Sequence, residues 1–413
     1  VTIFYRIFNL QTPKETGYGI VMLSRKFSIG FFLPLFFWLV ASCTPLIARA
    51  KIDLVETSYT HTLQFSGDRA WNHLETIMGF NPRYPGSSGI NQTASYIENT
   101  ITGYGAETIR HNFSVSGVPC ANIIGKWRPN DTIPTDIIII GGHYDARRRA
   151  DQDPTLANKN LPVPAANDGG SSTVALLELA AFLNATYNES LLAIDEEIWL
   201  VFFDAEDQGD GGMAGFNWIE GSMRLAAAID AFKESNQSIT MFLLLDMIAD
   251  DELRINQELN SDQTLLSEFF AMGRCLGHGQ YFPTNPRALR ITDDHVPFKN
   301  LGIPSVDIID LDYPEWHTIA DDLDHVSKES LHSVGKVAEG FILSKTSDVD
   351  NLELRDPDTG KTWTVETCSS NDLWMLFAGF LSEWWPLLVL GGMALIAAIY
   401  LLSKKKKKKD ARP

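Results

Sequence analysis

The sequence predicts a three-layer α/β/α domain on a mostly parallel central sheet, followed by a C-terminal transmembrane helix. Two observations predict the domain: short, wholly apolar, β-rich runs alternate with longer helical patterns, and no internal repeat interrupts the alternation. A third predicts the helix: residues 384–402 are uncharged and apolar, open on Trp384 and Trp385, and stand just before the lysines 404–409. The clearest strands are Asp136 to Gly141, Ile198 to Phe203, Thr240 to Leu245 and Ser305 to Ile309. Helical patterns fall at about 67–78, 89–103, 171–187, 213–235, 262–277 and 328–345.

Five segments are expected. Residues 1–50 read as an N-terminal extension and signal peptide: Arg25 and Lys26 precede the apolar run Phe27 to Cys43, and Ala48-Arg49-Ala50 offers a cleavage pattern. Met22 is then the natural start, with residues 1–21 either an upstream extension or the N-terminal region of a signal anchor. A second processing reading is a lipoprotein box, Val40-Ala41-Ser42-Cys43. The main domain spans 51–345. Residues 346–383 lose periodicity and read as a stalk, 384–402 as the membrane span and 403–413 as a basic cytoplasmic tail. This places the chain in the cell membrane as a single-pass protein with its domain outside. Six Asn-x-Ser/Thr triplets, at Asn91, Asn112, Asn130, Asn184, Asn188 and Asn236, suit an exported, glycosylated surface.

A net charge of −18 argues against nucleic acid as a partner, because its phosphates would be repelled. Beyond the leader, Cys120, Cys275 and Cys368 form an odd, sparse set that describes neither a disulfide framework nor a cysteine metal site. Any metal must rest on histidines and carboxylates.

In open α/β sheets the ligand crevice lies beyond the carboxyl ends of the strands. There the first strand runs into His143-Tyr144-Asp145, the second into Asp204-Ala205-Glu206-Asp207, the third into Asp246, and the fourth into Asp310, with His317 shortly after. One such acid could be a helix cap or a solvated loop residue; four at one sheet edge point to a site. Asp168, in Asn167-Asp168-Gly169-Gly170, could be only the cap of the next helix. With His143, Asp207, Asp246 and His317 it completes a donor set of the kind that holds zinc. Glu206, beside a ligand, is placed as a general base. His295, His111, His278 and His325 read as structural, and Asp195-Glu196-Glu197, at the opposite sheet edge, as solvated. Trp316 reads equally as a core aromatic or as a pocket wall.

With Asn81-Pro82-Arg83-Tyr84-Pro85-Gly86-Ser87, HYD, ANDGG, FFDAEDQG, LLLDMI, DDHVPF and Trp316-His317-Thr318 in this order, residues 67–345 resemble the zinc exopeptidases of clan MH, the zinc aminopeptidase and glutaminyl-peptide cyclotransferase family. For the hydrolytic branch the resemblance implies two zinc ions: Asp168 bridging, His143 and Asp246 on one, Asp207 and His317 on the other, with Glu206 as base and Asp145 orienting His143. For the cyclotransferase branch it implies one zinc on Asp168, Asp207 and His317, with Glu206 carrying a proton from the α-amine to the departing ammonia. Asp207 is a departure, since aminopeptidases commonly carry Glu there. Asp293, where the cyclotransferases have a proton-network carboxylate, the Tyr313-Pro314-Glu315-Trp316-His317 run as an aromatic pocket wall, and the insertion Arg147 to Pro164 lean toward cyclisation of peptide N-termini. Against it, no second pocket tryptophan is matched, Trp218 standing too far beyond the acidic pair. A zinc aminopeptidase is the alternative; a metal-free surface binding module is the remote one.

Overall fold

The structure is a computed structural model that describes residues 59–129, 133–189, 194–346, 352–365 and 368. The expected leader, most of the stalk, the apolar stretch 384–402 and the basic tail lie outside the described residues. Among those described, no helix is long and apolar enough to cross a membrane.

The centre is a six-stranded sheet of β2 (Glu107–Val115), β3 (Val118–Trp127), β4 (Asp136–His143), β5 (Glu197–Phe203), β6 (Ser238–Asp246) and β9 (Ser305–Ile309), in the spatial order β2-β3-β5-β4-β6-β9. The four strands expected from their apolar runs are the four that pair in parallel within this sheet, and the short β7 (Gln257–Glu258) and β8 (Ala288–Leu289) form a separate two-stranded parallel ladder. Buried on both faces, they carry Ile, Val, Leu and Phe without alternation. β2 and β3 add an antiparallel hairpin at one edge, so the sheet is mixed. Its turn is Ser116-Gly117, both at positive φ (51° and 84°), the twist a tight hairpin needs.

Helices cover both faces. On one, α1 (Gly67–Met78), α2 (Ser88–Gly103), α3 (Gly170–Glu189), α5 (Gln263–Cys275) and α7 (Lys328–Lys345) pack over Ile138, Ile140, Leu200 and Leu243. On the other, α4 (Glu220–Ala228) and the short α6 (His295–Asn300) pack over Ile137, Ile139, Val201 and Phe242. Side-chain caps set several starts: Ser66, Asp262 and Ser327 each accept from backbone N–H groups of the first turn.

Four expectations are corrected. The helix expected over 213–235 begins only at Glu220, because Gly211 and Gly215 (φ 95° and 79°) turn the chain first. The stalk reading fails for residues 352–365. There β10 (Leu352–Arg355) pairs in parallel with β1 (Tyr59–Thr62) and antiparallel with β11 (Thr362–Thr364), with Leu352 and Leu354 in the main core. The cysteines are also not all free: Cys275 on α5 is bonded to Cys368, which leaves Cys120 as a buried thiol. Glu197, expected in solvent, is buried at the start of β5 and accepts from Trp199 Nε1 and Gln237 Nε2.

Candidate active site

Parallel pairing in register brings the carboxyl ends of β4, β5 and β6 side by side, with His143 opposite Phe203 and Gly141 opposite Leu244. His143 and Asp246, the last residues of their strands, therefore meet: His143 Nε2 lies 3.3 Å from Asp246 Oδ1. Asp168, two residues before α3, reaches between the strand ends. One of its oxygens is 3.1 Å from His143 Nε2, the other 3.4 Å from His317 Nε2. Asp207, in the loop after β5, stands 2.9 Å from the same His317 nitrogen.

Two groups of three donors thus share Asp168: His143, Asp168 and Asp246, and Asp168, Asp207 and His317. All are buried. Among the described residues, Asp168 Oδ2, Asp207 Oδ2, Asp246 Oδ1 and both His143 nitrogens have no hydrogen-bond partner. Such orphaned polar atoms cost about 1–3 kcal/mol each or more when charged, unless a cation joins them. A nitrogen and oxygen donor set converging on one point fits zinc, and either group leaves open positions.

The electrostatics follow from crowding. Burial, reinforced by Asp168, pushes the Asp207 carboxyl up to about 6. Asp168 goes the other way: burial would raise it, but His143 and His317 on either side hold it below the usual carboxylate range. For both histidines, burial favours the neutral ring, yet the facing carboxylates outweigh it and raise them well above the ordinary imidazole value.

Asp145 lies behind this layer, 3.5 Å from His143 Nδ1. It also accepts from the backbone N–H of Glu206, at 3.0 Å, and from Gln208 Nε2, so a single carboxylate faces a histidine and fixes the loop that carries the acidic pair. Glu206 itself is buried, and burial chiefly drives its carboxyl well above the ordinary value. Asp293, just before α6, is pushed up to about 7 by burial and by Asp246. Both carboxyls open onto one cavity of about 300 Å³, which is also lined by Asp207, Trp218, Trp316 and His317.

Trp316 therefore belongs to the cavity wall, stacked on His317 with ring centres 3.7 Å apart. Tyr313 does not line the cavity. It is buried behind it, and its hydroxyl donates to Asp321, which in turn accepts from the backbone N–H groups of Asn167 and Asp168. His295 is wholly buried between Glu258 and Asp307, away from both donor groups. Trp218, set aside in the sequence as too far beyond the acidic pair, does wall the cavity, its ring stacked 5.9 Å from that of His317 at 11°. It lies eleven positions after Asp207 because the loop doubles back through Gly209, Gly211, Gly212 and Gly215, a glycine density that was the available signal. Sequence reasoning missed Asp321, in Asp321-Asp322-Leu323-Asp324.

Comparisons with known proteins agree with this geometry. The family model described as "Peptidase family M28" matches residues 122–342. A glutaminyl-peptide cyclotransferase of Boiga irregularis is 25% identical over 329 residues, covering 72% of this chain and 85% of that protein. The crystal structure of Porphyromonas gingivalis glutaminyl cyclase superposes with a TM-score of 0.61 at 28% identity, covering 68% of this chain and 99% of that one. A Zn-dependent exopeptidase from Parabacteroides distasonis gives a TM-score of 0.58 at 27% identity, covering 67% and 97%. With the matched region extending from β3 to the last turns of α7 and enclosing every donor of the shared-aspartate site, the chain belongs to peptidase family M28 and is an enzyme of that family.

Proposed function

We propose that the enzyme is a glutaminyl-peptide cyclotransferase, closing N-terminal glutamine to pyroglutamate with release of ammonia, in an extracytoplasmic domain anchored by residues 384–402. The observation that carries this reading is the pairing of Glu206 and Asp293, both with raised pKa, on one small cavity walled by Trp218 and Trp316. About 300 Å³ admits one side chain, not a folded surface.

In this reading Asp168, Asp207 and His317 would hold one zinc, while His143 and Asp246 would serve hydrogen bonding. When bound, the metal acts as a Lewis acid toward the side-chain carbonyl oxygen of the substrate glutamine. The chain's own groups do the rest. The indoles hold the glutamine stem with its α-amine turned to Glu206. Attack of the amine nitrogen on the γ-carbonyl carbon forms the lactam bond and breaks the bond to the amide nitrogen. Glu206 takes a proton from the amine and delivers it to that leaving nitrogen. A carboxyl with a raised pKa suits both halves of the transfer, and Asp293 beside it supplies a second proton-holding oxygen.

A second reading, an aminopeptidase, is favoured by the two complete donor groups sharing Asp168, which suit a pair of ions. Zinc-loaded full-length protein incubated with Gln-Ala and Leu-Ala peptides separates the two. Loss of ammonia from the glutamine peptide, with the leucine peptide intact, is expected. Release of free leucine would overturn the cyclotransferase reading in favour of the aminopeptidase.

A further inference from the structure

The two site histidines are supported alike, although only one support is legible in the motifs. Behind His143 Nδ1 stands Asp145, at 3.5 Å. Behind His317 Nδ1, at 3.6 Å, stands Asp151, which belongs to the insertion between Arg147 and Pro164. In both cases Nε2 faces the shared Asp168.

Asp151 is itself held. Arg147, wholly buried, donates to it through Nε (2.9 Å) and Nη2 (2.7 Å), a two-pronged grip of the kind that fixes a carboxylate's plane. The same guanidinium donates to the backbone carbonyls of Asp207 and Gly209, lies 3.5 Å from the Asp207 carboxylate, and covers the ring of Trp218 at 4.7 Å. The insertion also grips the His317 loop through its backbone. The N–H of Gln152 donates to the His317 carbonyl, and the Asp153 carboxylate accepts from the N–H of Ile319. His317 needs such a grip because its φ is 57°, a left-handed conformation that costs a branched or ring-bearing residue of order 1–3 kcal/mol.

We propose that Asp151, fixed by Arg147, is the positioning residue of His317, keeping the proton on Nδ1 and the Nε2 lone pair on the metal. The insertion is then a strap that completes the Asp168, Asp207 and His317 group. A carboxylate behind a metal-bound histidine raises its basicity and fixes its tautomer, and losing it costs roughly 10–100-fold in metal affinity. Arg147 contributes a second effect: it donates to the Asp207 backbone carbonyl and lies 3.5 Å from its carboxylate, which holds that ligand beside His317. The inference rests on the zinc reading of the site but not on which reaction the site performs.

The test is zinc affinity by chelator competition on the full-length protein, with the melting temperature of the metal-free protein as the control of folding. Asp151 is 29% exposed at its side chain and an asparagine oxygen still accepts from Arg147, so Asp151→Asn is expected to lower the metal-free melting temperature without preventing folding and to weaken zinc roughly 10-fold or more. Asp151→Glu is expected to recover part of that loss. Arg147→Lys, which keeps the charge without the fork, should fall between. The strap control is Asn158→Ala, which removes a hydrogen bond to Asp153 and touches neither histidine; zinc should stay within twofold of the parent. ¹⁵N spectra of the histidines, in which His317 loses its fixed tautomer in Asp151→Asn only, give a readout that loop loosening does not. A parent that binds no zinc overturns the zinc reading itself. A parent that binds zinc while Asp151→Asn binds it equally well, or an equal loss in Asn158→Ala, overturns the role of Asp151.

Discussion

Ala205, Met247 and His317 all sit at positive φ, 61°, 45° and 57°, and each adjoins or is a residue of the site. At of order 1–3 kcal/mol apiece, such conformations persist only where surrounding contacts dictate them. Ala205 turns the chain out of β5 so that Glu206 and Asp207 face the cavity, and Met247 does the same after Asp246. The site is therefore built against local preference. Within it, Glu206 and Asp168 are separable. Glu206 is adjacent to a donor group without being part of one, so Glu206→Gln is expected to lower kcat by about 10²-fold or more while zinc stoichiometry is kept. Asp168 belongs to both groups, so Asp168→Ala is expected to abolish zinc binding as read by metal analysis of the purified protein. Turnover retained in Glu206→Gln would remove it as the proton carrier. Trp218→Ala opens the cavity wall without removing a proton-transfer group and is expected to raise KM more than it lowers kcat; steady-state kinetics on a glutamine peptide check this.

At the scale of elements, legibility followed burial. The strands around Ile138, Val201, Leu243 and Val306 are buried through their apolar runs up to their carboxyl ends, so those runs announced both the strands and the acids beyond them. The β2–β3 hairpin was silent because β2 lies at the sheet edge, where Arg110, His111 and Asn112 are tolerated, and because Pro119, Gly125 and Lys126 interrupt β3. Two other hidden features are pairings between distant residues, which periodicity does not report. Lys336 on α7 is buried and ion-paired to Asp356 and Asp358 beyond β10, and Cys275 finds its partner at Cys368, 93 residues on. These ties make residues 352–368 part of the folded domain. Ending the chain at residue 345 is expected to lower its melting temperature sharply, since an unpaired buried lysine alone costs about 3–5 kcal/mol. Cys368→Ser in the full chain should show a smaller drop, bounded by a loop-closure contribution of about 4–5 kcal/mol. Calorimetry of the two variants checks the order; equal stability of the shortened and full chains would return this segment to a stalk.

The whole molecule carries a net charge of −18 and keeps many of its acids indoors, which ties stability to pH in a definite direction. Burial, aided by Asp145, pushes Asp204 up to about 8; burial, aided by Asp168, pushes Asp321 up to about 7; burial pushes Asp310 up to about 6. In the unfolded chain the same groups ionise near their ordinary value of 3.8. Between that value and the folded one the native state holds more protons, so their stabilisation is complete at low pH and is lost as pH rises through about 6 to 8. His278 acts oppositely: burial lowers it to about 4, so its destabilising effect appears only as pH falls below its ordinary 6.5. Above pH 6.5 it has no further effect, and the acids decide. The metal-free protein is therefore expected to melt at a lower temperature at pH 8.5 than at pH 6.5. Zinc opposes the trend, because ionised Asp207 and neutral His317 are the forms that hold a cation, and those forms increase with pH. The gap in melting temperature between zinc-loaded and metal-free protein should widen across that interval. A metal-free protein that gains stability from pH 6.5 to 8.5 would mean that the buried carboxyls are already ionised and paired, and that the polar layer behind the strand ends is held by contacts other than protons.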